Sequence, residues 1–324
     1  MDTNQLPIIA IVLPCYNEES ALPQTVPVLQ DILNKLKEKN EIDANSYILC
    51  VDDGSSDSTW RTICSMNKKS ADVKGITLTH NRGHQYALLA GLMTVKDNCS
   101  AAISIDADLQ DDPNAIVGMI EQFKKGNEIV YGVRRSRKTD TWFKRNSARA
   151  FYKLQSAMGL QTVYDHADYR LMSRRALDIL SEYQEQNLFL RGIVPQIGLS
   201  TAVVNYDRNE RVAGESKYPL SKMLSFSIDG ITSFSAKPMR YIFIFGSILL
   251  IIDLLVAVYV LVAFFCGLTV SGWSSIMLSI WFFGSVLLMS IGIIGEYIGK
   301  IFVESKRRPR FNIKETTDDL NNKM

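Results

Sequence analysis

Between Ile8 and Val133 the chain alternates short apolar runs with longer stretches whose apolar residues recur every three or four positions. The short runs, "IIAIVLP", "YILCVDD", "GITLTHN", "AAISIDA" and "EIVYGV", are rich in β-branched and aromatic residues and stop at polar clusters, as strands do. Patterns such as "TVPVLQDILNKLKEK" and "YALLAGLMTVKD" separate them. In the first of these, Val26, Leu29, Ile32, Leu33 and Leu36 share one face of a helix. The alternation predicts an α/β fold with a mainly parallel sheet covered by helices. In such sheets ligands bind outside the carboxyl ends of the strands, where these polar clusters fall.

After Met239 the pattern changes. From Tyr241 to Phe265 every residue is apolar, small or aromatic except Asp253, and Ile276 to Ile294 holds no charge. About 25 helical residues cover roughly 37 Å, enough for a hydrocarbon core of about 30 Å. The two runs, joined by "CGLTVSGWSS", are predicted to form a two-helix transmembrane hairpin. Lys237 and Arg240 precede it and Lys300, Lys306, Arg307, Arg308 and Arg310 follow it, while the connection has no basic residue, so both termini are expected on the cytoplasmic side. Leu220, Met223, Leu224, Ile228 and Ile231 have the spacing of an interfacial helix in contact with membrane lipid; packing onto the soluble domain is the alternative. An aspartate in mid-membrane is costly, so Asp253 is expected to face protein, and Gly292, Gly295 and Gly299 offer a small-residue helix face. Together they point to a homo-oligomer. The chain thus divides into a soluble domain over 1–215, a juxtamembrane segment over 216–240, the hairpin over 241–299 and a basic tail over 300–324, whose "KETTDDLNNKM" reads as disordered.

Composition narrows the field. A net charge of +2 gives no reason to expect a nucleic-acid partner. Cys15, Cys50, Cys64, Cys99 and Cys266 form no CxxC pair, which fits reduced thiols and neither a disulfide framework nor a zinc site. The opening run "PIIAIVLP" lacks a basic flank and breaks at proline, so it does not read as a cleavable leader. No GxGxxG or P-loop pattern follows a strand, which argues against a dinucleotide dehydrogenase or a P-loop nucleotidase.

The strand ends carry the candidate chemistry. "PCYNEES" offers Asn17 and Glu18 for hydrogen bonding, with helix capping as the alternative. In "VDDGSSDST" capping accounts for Asp57 but not for Asp52 and Asp53. "ISIDADLQDDP" crowds Asp106, Asp108, Asp111 and Asp112 together. An EF-hand loop needs glycine at position six and glutamate at position twelve, where Asp111 and Val117 stand. Asp106 and Asp108, two apart in extended chain, point the same way and suit a Mg2+ or Mn2+ ion shared with a diphosphate. "YDHADYRLMSR" adds Asp168 and Arg170, read either as a core salt bridge or as groups at the acceptor side that orient the acceptor or take its proton. Arg134 and Arg135 after the fifth strand, and Lys217 on the turn at Gly214, suit phosphate.

Taken in order, "LPCYNEE", "VDDGSSDST", "DADLQDDP", "DYRLMSRRA", "GESKYP", "FSIDGITSFSAKPMR" and "GEYIGKIFVESKRRPRF" resemble the family 2, GT-A type glycosyltransferases. Within that family they resemble the polyprenyl-phosphate enzymes, such as bactoprenol glucosyl transferases and dolichyl-phosphate mannose synthase-like proteins. The resemblance implies a GT-A, Rossmann-like nucleotide-sugar domain. It implies contacts to the nucleotide from Pro14, Tyr16, Glu18 and Asp52, a metal and diphosphate held by Asp106 and Asp108, and a phosphate contact from Lys217; Asn17 and Ser216, beside them in the chain, are further candidate substrate contacts. It also implies inverting transfer of one sugar, glucose from UDP-glucose by family frequency, to polyprenyl phosphate. The block "NRGHQYA" departs from the "NFGKEAA" common in such relatives, with His84 and Gln85 in place of Lys and Glu. A processive polysaccharide synthase and a non-catalytic membrane scaffold are the rival readings; the missing QxxRW and the two spans weigh against the first, the retained carboxylates against the second.

Overall fold

The computed structural model describes residues 5–134, 166–186, 188–207 and 272–317, with scattered positions between 242 and 266. The chain divides into two compact units, one of residues 1–150, 161–218 and 308–324, the other of 151–160 and 219–307.

The first unit is built on one eight-stranded sheet. Its strands are β1 (Ile9–Cys15), β2 (Tyr47–Asp52), β3 (Val73–Leu78), β4 (Ala101–Ser104), β5 (Ile129–Arg134), β6 (His166–Ser173), β7 (Thr201–Tyr206) and β8 (Ile313–Thr316). The described helices of this unit are α1 (Leu22–Glu38), α2 (Thr59–Lys69), α3 (His84–Val95), α4 (Ala115–Lys124), α5 (Arg174–Glu182) and α6 (Leu190–Gln196). The strand order is β7-β5-β6-β4-β1-β2-β3-β8. Strands β1 to β4 are parallel, and β5 runs parallel to β7. Every residue of β1 is buried, as expected for a strand covered on both faces. Ile9, Ile11 and Leu13 point to one side and share a core with Val26, Leu29 and Leu33 of α1 and Ile116, Met119 and Ile120 of α4. The helical stripe expected from Val26 to Leu36 is buried throughout.

On the opposite face, α3 lies very close to the sheet at Gly91. A Cβ there would stand 2.4 Å from Val12 Cγ1 and 2.7 Å from Val51 Cγ2, both short branches with little room to move. This contact sets the height of α3, and therefore of the loop that enters it, above the carboxyl ends of β1 and β2.

Chain order steps outward from β1 through β2 to β3, then returns to place β4 on the other side of β1. That reversal opens a crevice at the carboxyl ends of β1 and β4. Strand β6 enters antiparallel between β4 and β5, pairing Ser104 with Arg170. Its amino end therefore lies where β4 ends, which brings Asp168 to the crevice.

The last strand was not expected. The polar tail read as disordered begins inside β8: Lys314, Glu315 and Thr316 belong to this strand, which pairs antiparallel with β3. The Thr317 amide donates to the Gly75 carbonyl (2.9 Å), the Gly75 amide donates to Thr317 Oγ1 (3.1 Å), and Trp60 Nε1 donates to Glu315 Oε2 (3.1 Å). A four-residue strand with outward Lys314 and Glu315 makes a short, charged sheet edge, a form that discourages further pairing.

Asp111 fastens the loop after β4. It is 1% exposed, and its Oδ1 accepts from Arg134 Nε (3.1 Å), Arg134 Nη2 (2.9 Å) and Tyr206 Oη (2.7 Å). Arg134 and Tyr206 end neighbouring strands in register. Tyr169 packs edge-on to Tyr206 and donates its hydroxyl to the Asp112 carbonyl (3.1 Å).

In the second unit, α7 (Trp273–Ser305) runs for 33 residues, about 50 Å of helix. Ile276, Ile280, Leu287, Leu288, Met289, Ile298 and Ile301 are all exposed, so apolar surface is not confined to one stripe. Within it, Phe282–Ser305 has a mean hydropathy of 1.8, and among the described residues this is one helix long and apolar enough to cross a membrane. The other expected span is described only at scattered positions, of which 242, 244–246, 248, 251, 252, 255 and 258 are helical; Asp253 and the juxtamembrane segment 216–240 lie outside the described residues.

Two stability outcomes are expected. Gly91→Ala should lower stability by about 1 to 3 kcal/mol through overpacking against Val12 and Val51, read as a lower melting temperature in detergent. Arg134→Ala, which strips a buried carboxylate of its charged partner, should cost roughly 3 kcal/mol in the same measurement; an unchanged melting temperature would show that Asp111 does not depend on the pair.

Candidate active site

The loops after β1 and β2 are laced together. Asn17 takes a left-handed conformation (φ 56°), its amide donates to Ser55 Oγ (2.9 Å), and its side-chain oxygen accepts from the Ser56 amide (3.0 Å). The Glu18 amide donates to Thr59 Oγ1 (2.9 Å), and Glu19 Oε2 accepts from the Ser58 amide (2.8 Å). Of the residues expected at the substrate, Pro14 is buried in β1, Tyr16 is 47% exposed at the strand end, and Asn17 braces the two loops. Asp52, also buried, accepts from Thr77 Oγ1 (2.6 Å) and the Ser55 amide (3.1 Å).

Asp53 does what capping could not explain. Its two oxygens accept from the Arg82 and Gly83 amides, each at 2.8 Å. Burial pushes its carboxyl up, against the pull of those two donors. The contact anchors the turn through Gly83 (φ 93°) that starts α3.

His84 opens α3, and its Nε2 lies 3.6 Å from Asp106 Oδ1 and 3.7 Å from Asp168 Oδ2. Burial works to lower its pKa, but the two carboxylates outweigh that and hold the imidazole above its ordinary value. Gln85 Oε1 accepts from the Leu190 amide (2.9 Å), and Tyr86 Oη donates to the Gln186 carbonyl. The first turn of α3 thus holds the segment that leads into α6. The "HQY" sequence reads as nothing more than the start of a helix.

Strand β4 ends at Ser104 with the Ile105 amide still donating to the Val12 carbonyl (3.2 Å); Asp106 follows the strand end and Asp108 stands in the turn after it. Leu109 is left-handed (φ 52°), and Asp108 Oδ1 accepts from the Gln110 amide (3.1 Å). The Asp106 pKa is pushed up to about 6, first by desolvation and then by the carboxylates of Asp168, Asp111 and Asp108, with His84 opposing. Three other carboxylates thus act on Asp106 against one histidine. Among the described residues no group of three or more His, Cys, Asp or Glu side chains gathers in metal-binding geometry. A Mg2+ or Mn2+ ion held by one or two carboxylates and completed by substrate phosphates needs no such group, so Asp106 and Asp108 fit that donor set.

Across from Asp106, Asp168 is held by two arginines and a histidine. Arg170 Nη2 donates to its Oδ1, Arg191 Nη2 donates to its Oδ2 (3.0 Å), and His84 approaches as above. Burial would raise its carboxyl, yet His84, Arg191 and Arg170 together keep it well below the usual carboxylate range. Arg170 is 2% exposed and also donates to the Leu190 carbonyl (3.4 Å). The assignment of Arg170 to the reacting face is therefore corrected: it is a buried brace, the core salt bridge that was the alternative reading. Arg191 on α6 escaped notice because a lone arginine in "FLRGIV" has no motif around it.

Arg134, expected at phosphate, is committed to Asp111. Arg135, Ser216 and Lys217 lie outside the described residues. The segment before β8 closes the outer wall: Arg82 Nη2 donates to the Pro309 carbonyl (3.1 Å), Gln186 Nε2 to the Arg308 carbonyl (2.7 Å), and Arg310 Nη1 to the Tyr183 carbonyl.

Comparison with known proteins bears on the family and the fold. Residues 10–180 match the family described as Glycosyl transferase family 2. The glycosyltransferase YkoT of Bacillus subtilis (strain 168) is 50% identical over 95% of this chain and 91% of its own length. The bactoprenol glucosyl transferase of Shigella phage SfV is 37% identical over 94% of this chain and 98% of its own. Among solved structures, mannosyl-3-phosphoglycerate synthase from Rubrobacter xylanophilus shares the fold, with a TM-score of 0.50 at 17% identity over 72% of this chain and 74% of that one. With the family pattern covering over half of the chain and relatives matching nearly end to end, this protein is a glycosyltransferase and belongs to family 2.

Proposed function

We propose that the protein transfers a single sugar from a nucleotide diphosphate donor to a polyprenyl phosphate at the cytoplasmic face of a membrane, with UDP-glucose as the first donor to test. The observation that carries this reading is the polarity of the crevice: carboxylates of Asp106 and Asp108 on the β4 side, and the Asp168–Arg170–Arg191 cluster on the β6 and α6 side. Likeness over nearly the whole chain to a protein named bactoprenol glucosyl transferase supports a prenyl phosphate as acceptor. The long apolar helix supports a membrane-bound enzyme.

Asp106 and Asp108 would hold Mg2+ or Mn2+, which when bound screens the donor diphosphate and favours its departure. Tyr16 and Glu18 at the end of β1 and Asp52 at the end of β2 form the nucleotide side, with Asp53 fixing the turn that bears His84. Transfer with inversion needs the acceptor oxygen opposite the leaving diphosphate at the anomeric carbon. A phosphate monoester with a second pKa of about 6 is already largely dianionic near neutral pH, so the acceptor requires little help from a base. Asp168, engaged by arginines on both oxygens, then positions rather than accepts a proton. Arg135, Ser216 and Lys217 belong to the phosphate side of this proposal. A two-helix hairpin with Asp253 and the Gly292, Gly295 and Gly299 face at helix contacts, assembled as a homo-oligomer, completes it.

The experiment is to incubate detergent-purified protein with undecaprenyl phosphate, Mg2+ or Mn2+, and radiolabelled UDP-glucose beside other nucleotide sugars. Label should enter the organic phase from one donor and be abolished by EDTA; no label from any donor with folded protein defeats the reading. Asp108→Asn should cut transfer at least about 100-fold without shifting the melting temperature, and full turnover in that variant would remove Asp108 from its role.

A further inference from the structure

Bringing a lipid phosphate up to a sugar diphosphate sets two anions side by side, and in a crevice shielded from water their repulsion is stronger than in solution. The proposed metal offsets charge on the donor side alone. The acceptor phosphate needs a cation of its own, on the wall facing Asp106.

The described arginines near this wall are not equivalent. Arg134 is locked onto Asp111, Arg170 is 2% exposed behind Asp168, and Arg82 turns its guanidinium to the Pro309 carbonyl. Arg191 is different: its side chain is 45% exposed while its Nε and Nη2 hold Asp168 at 3.0 to 3.3 Å. Arg170 and Arg191 both face the carboxylate of Asp168, and of the two it is Arg191 whose guanidinium is exposed to a ligand in the crevice. Asp168 is built to aim that guanidinium. The register carries it there: Ser104 pairs with Arg170, so two residues further on Asp168 comes level with Asp106.

We propose that Arg191 is the residue that binds the acceptor phosphate, with Asp168 and buried Arg170 as its positioning residues. The inference rests on the proposed transfer to polyprenyl phosphate and adds the group that recognises its head. An arginine suits the task because its planar fork can keep two N–H groups on a carboxylate and still offer charge to a phosphate oxygen. The pairing with Asp168 fixes the fork before substrate arrives, which reduces the ordering cost on binding.

The test measures KM for undecaprenyl phosphate and, separately, UDP binding by wild type, Arg191→Gln and Arg191→Lys, all full-length in detergent. Arg191→Gln is expected to raise the acceptor KM about 10- to 100-fold, the loss of one charge-assisted contact, with UDP affinity within about twofold of wild type. Arg191→Lys keeps the charge without the fork and should fall between the two; it also preserves the comparison if Arg191→Gln does not fold. Asp168→Asn should move the acceptor KM in the same direction more than kcat, since it loosens Arg191 and removes no proton acceptor. An unchanged acceptor KM in both Arg191 variants overturns the proposal, as does an equal loss of UDP affinity, which would place Arg191 at the donor. Wild type that labels no prenyl phosphate while still binding UDP fails the proposed function itself and takes this inference with it, an outcome distinct from the other two.

Discussion

The site depends on one pairing, the antiparallel insertion of β6 beside β4. A parallel strand in that place would send its carboxyl end to the crevice and Ser173 with it. Run in reverse, the same strand delivers Asp168 to the level of Asp106, from a part of the chain more than sixty residues away. The pairing is fixed by apolar residues on both strands, with Ile103 against Leu171 and Ala102 against Met172 in register. A slip of one residue would turn Asp168 to the other face of the sheet and break the cluster. The chemistry of the crevice is thus held by the packing of side chains that never touch a substrate.

Around that pairing, charge is distributed by burial more than by count. Asp111, Asp53 and Asp168 are all buried carboxylates, and each is matched by donors: Arg134 and Tyr206 for the first, two backbone amides for the second, two arginines and a histidine for the third. Asp106 differs in its neighbours: His84 at 3.6 Å stands against the carboxylates of Asp168, Asp111 and Asp108. Three of the acidic residues therefore serve the architecture and spread rigidity through the loops. The fourth is left as the place where added positive charge lowers the energy.

The parallel half of the sheet was legible because its strands are buried on both faces and its helices on one, which leaves two different periods in the sequence. The Asp106–Asp108 spacing could also be read, but not its backbone: a run of small and apolar residues gives no sign of the turn at Ala107 and Asp108. Strand β8 could not be read at all. Its residues, Ile-Lys-Glu-Thr, match a solvated tail, and they form a strand because β3 offers an open edge. Arg191 was hidden for the same reason. Its role comes from α6 folding over β6, held there by Gln85 and Tyr86, and no local pattern encodes a contact made through the fold. Asp168 and Arg170 stood out in the sequence as a pair of opposite charges, and the structure shows both buried and in contact.

Because β8 lies after α7 in the chain, the soluble sheet cannot be finished until the apolar helix has been made. Throughout that interval β3 keeps a bare row of amides and carbonyls along its outer side, a surface that pairs readily with any passing extended chain. The segment that covers the row also fastens Arg82 and Gln186 beside the site. Synthesis and assembly are thereby ordered in time: the outer wall of the sheet is closed only in a molecule whose long apolar helix already exists, so a nascent domain released early is open-edged and lacks the contacts to Arg82 and Gln186.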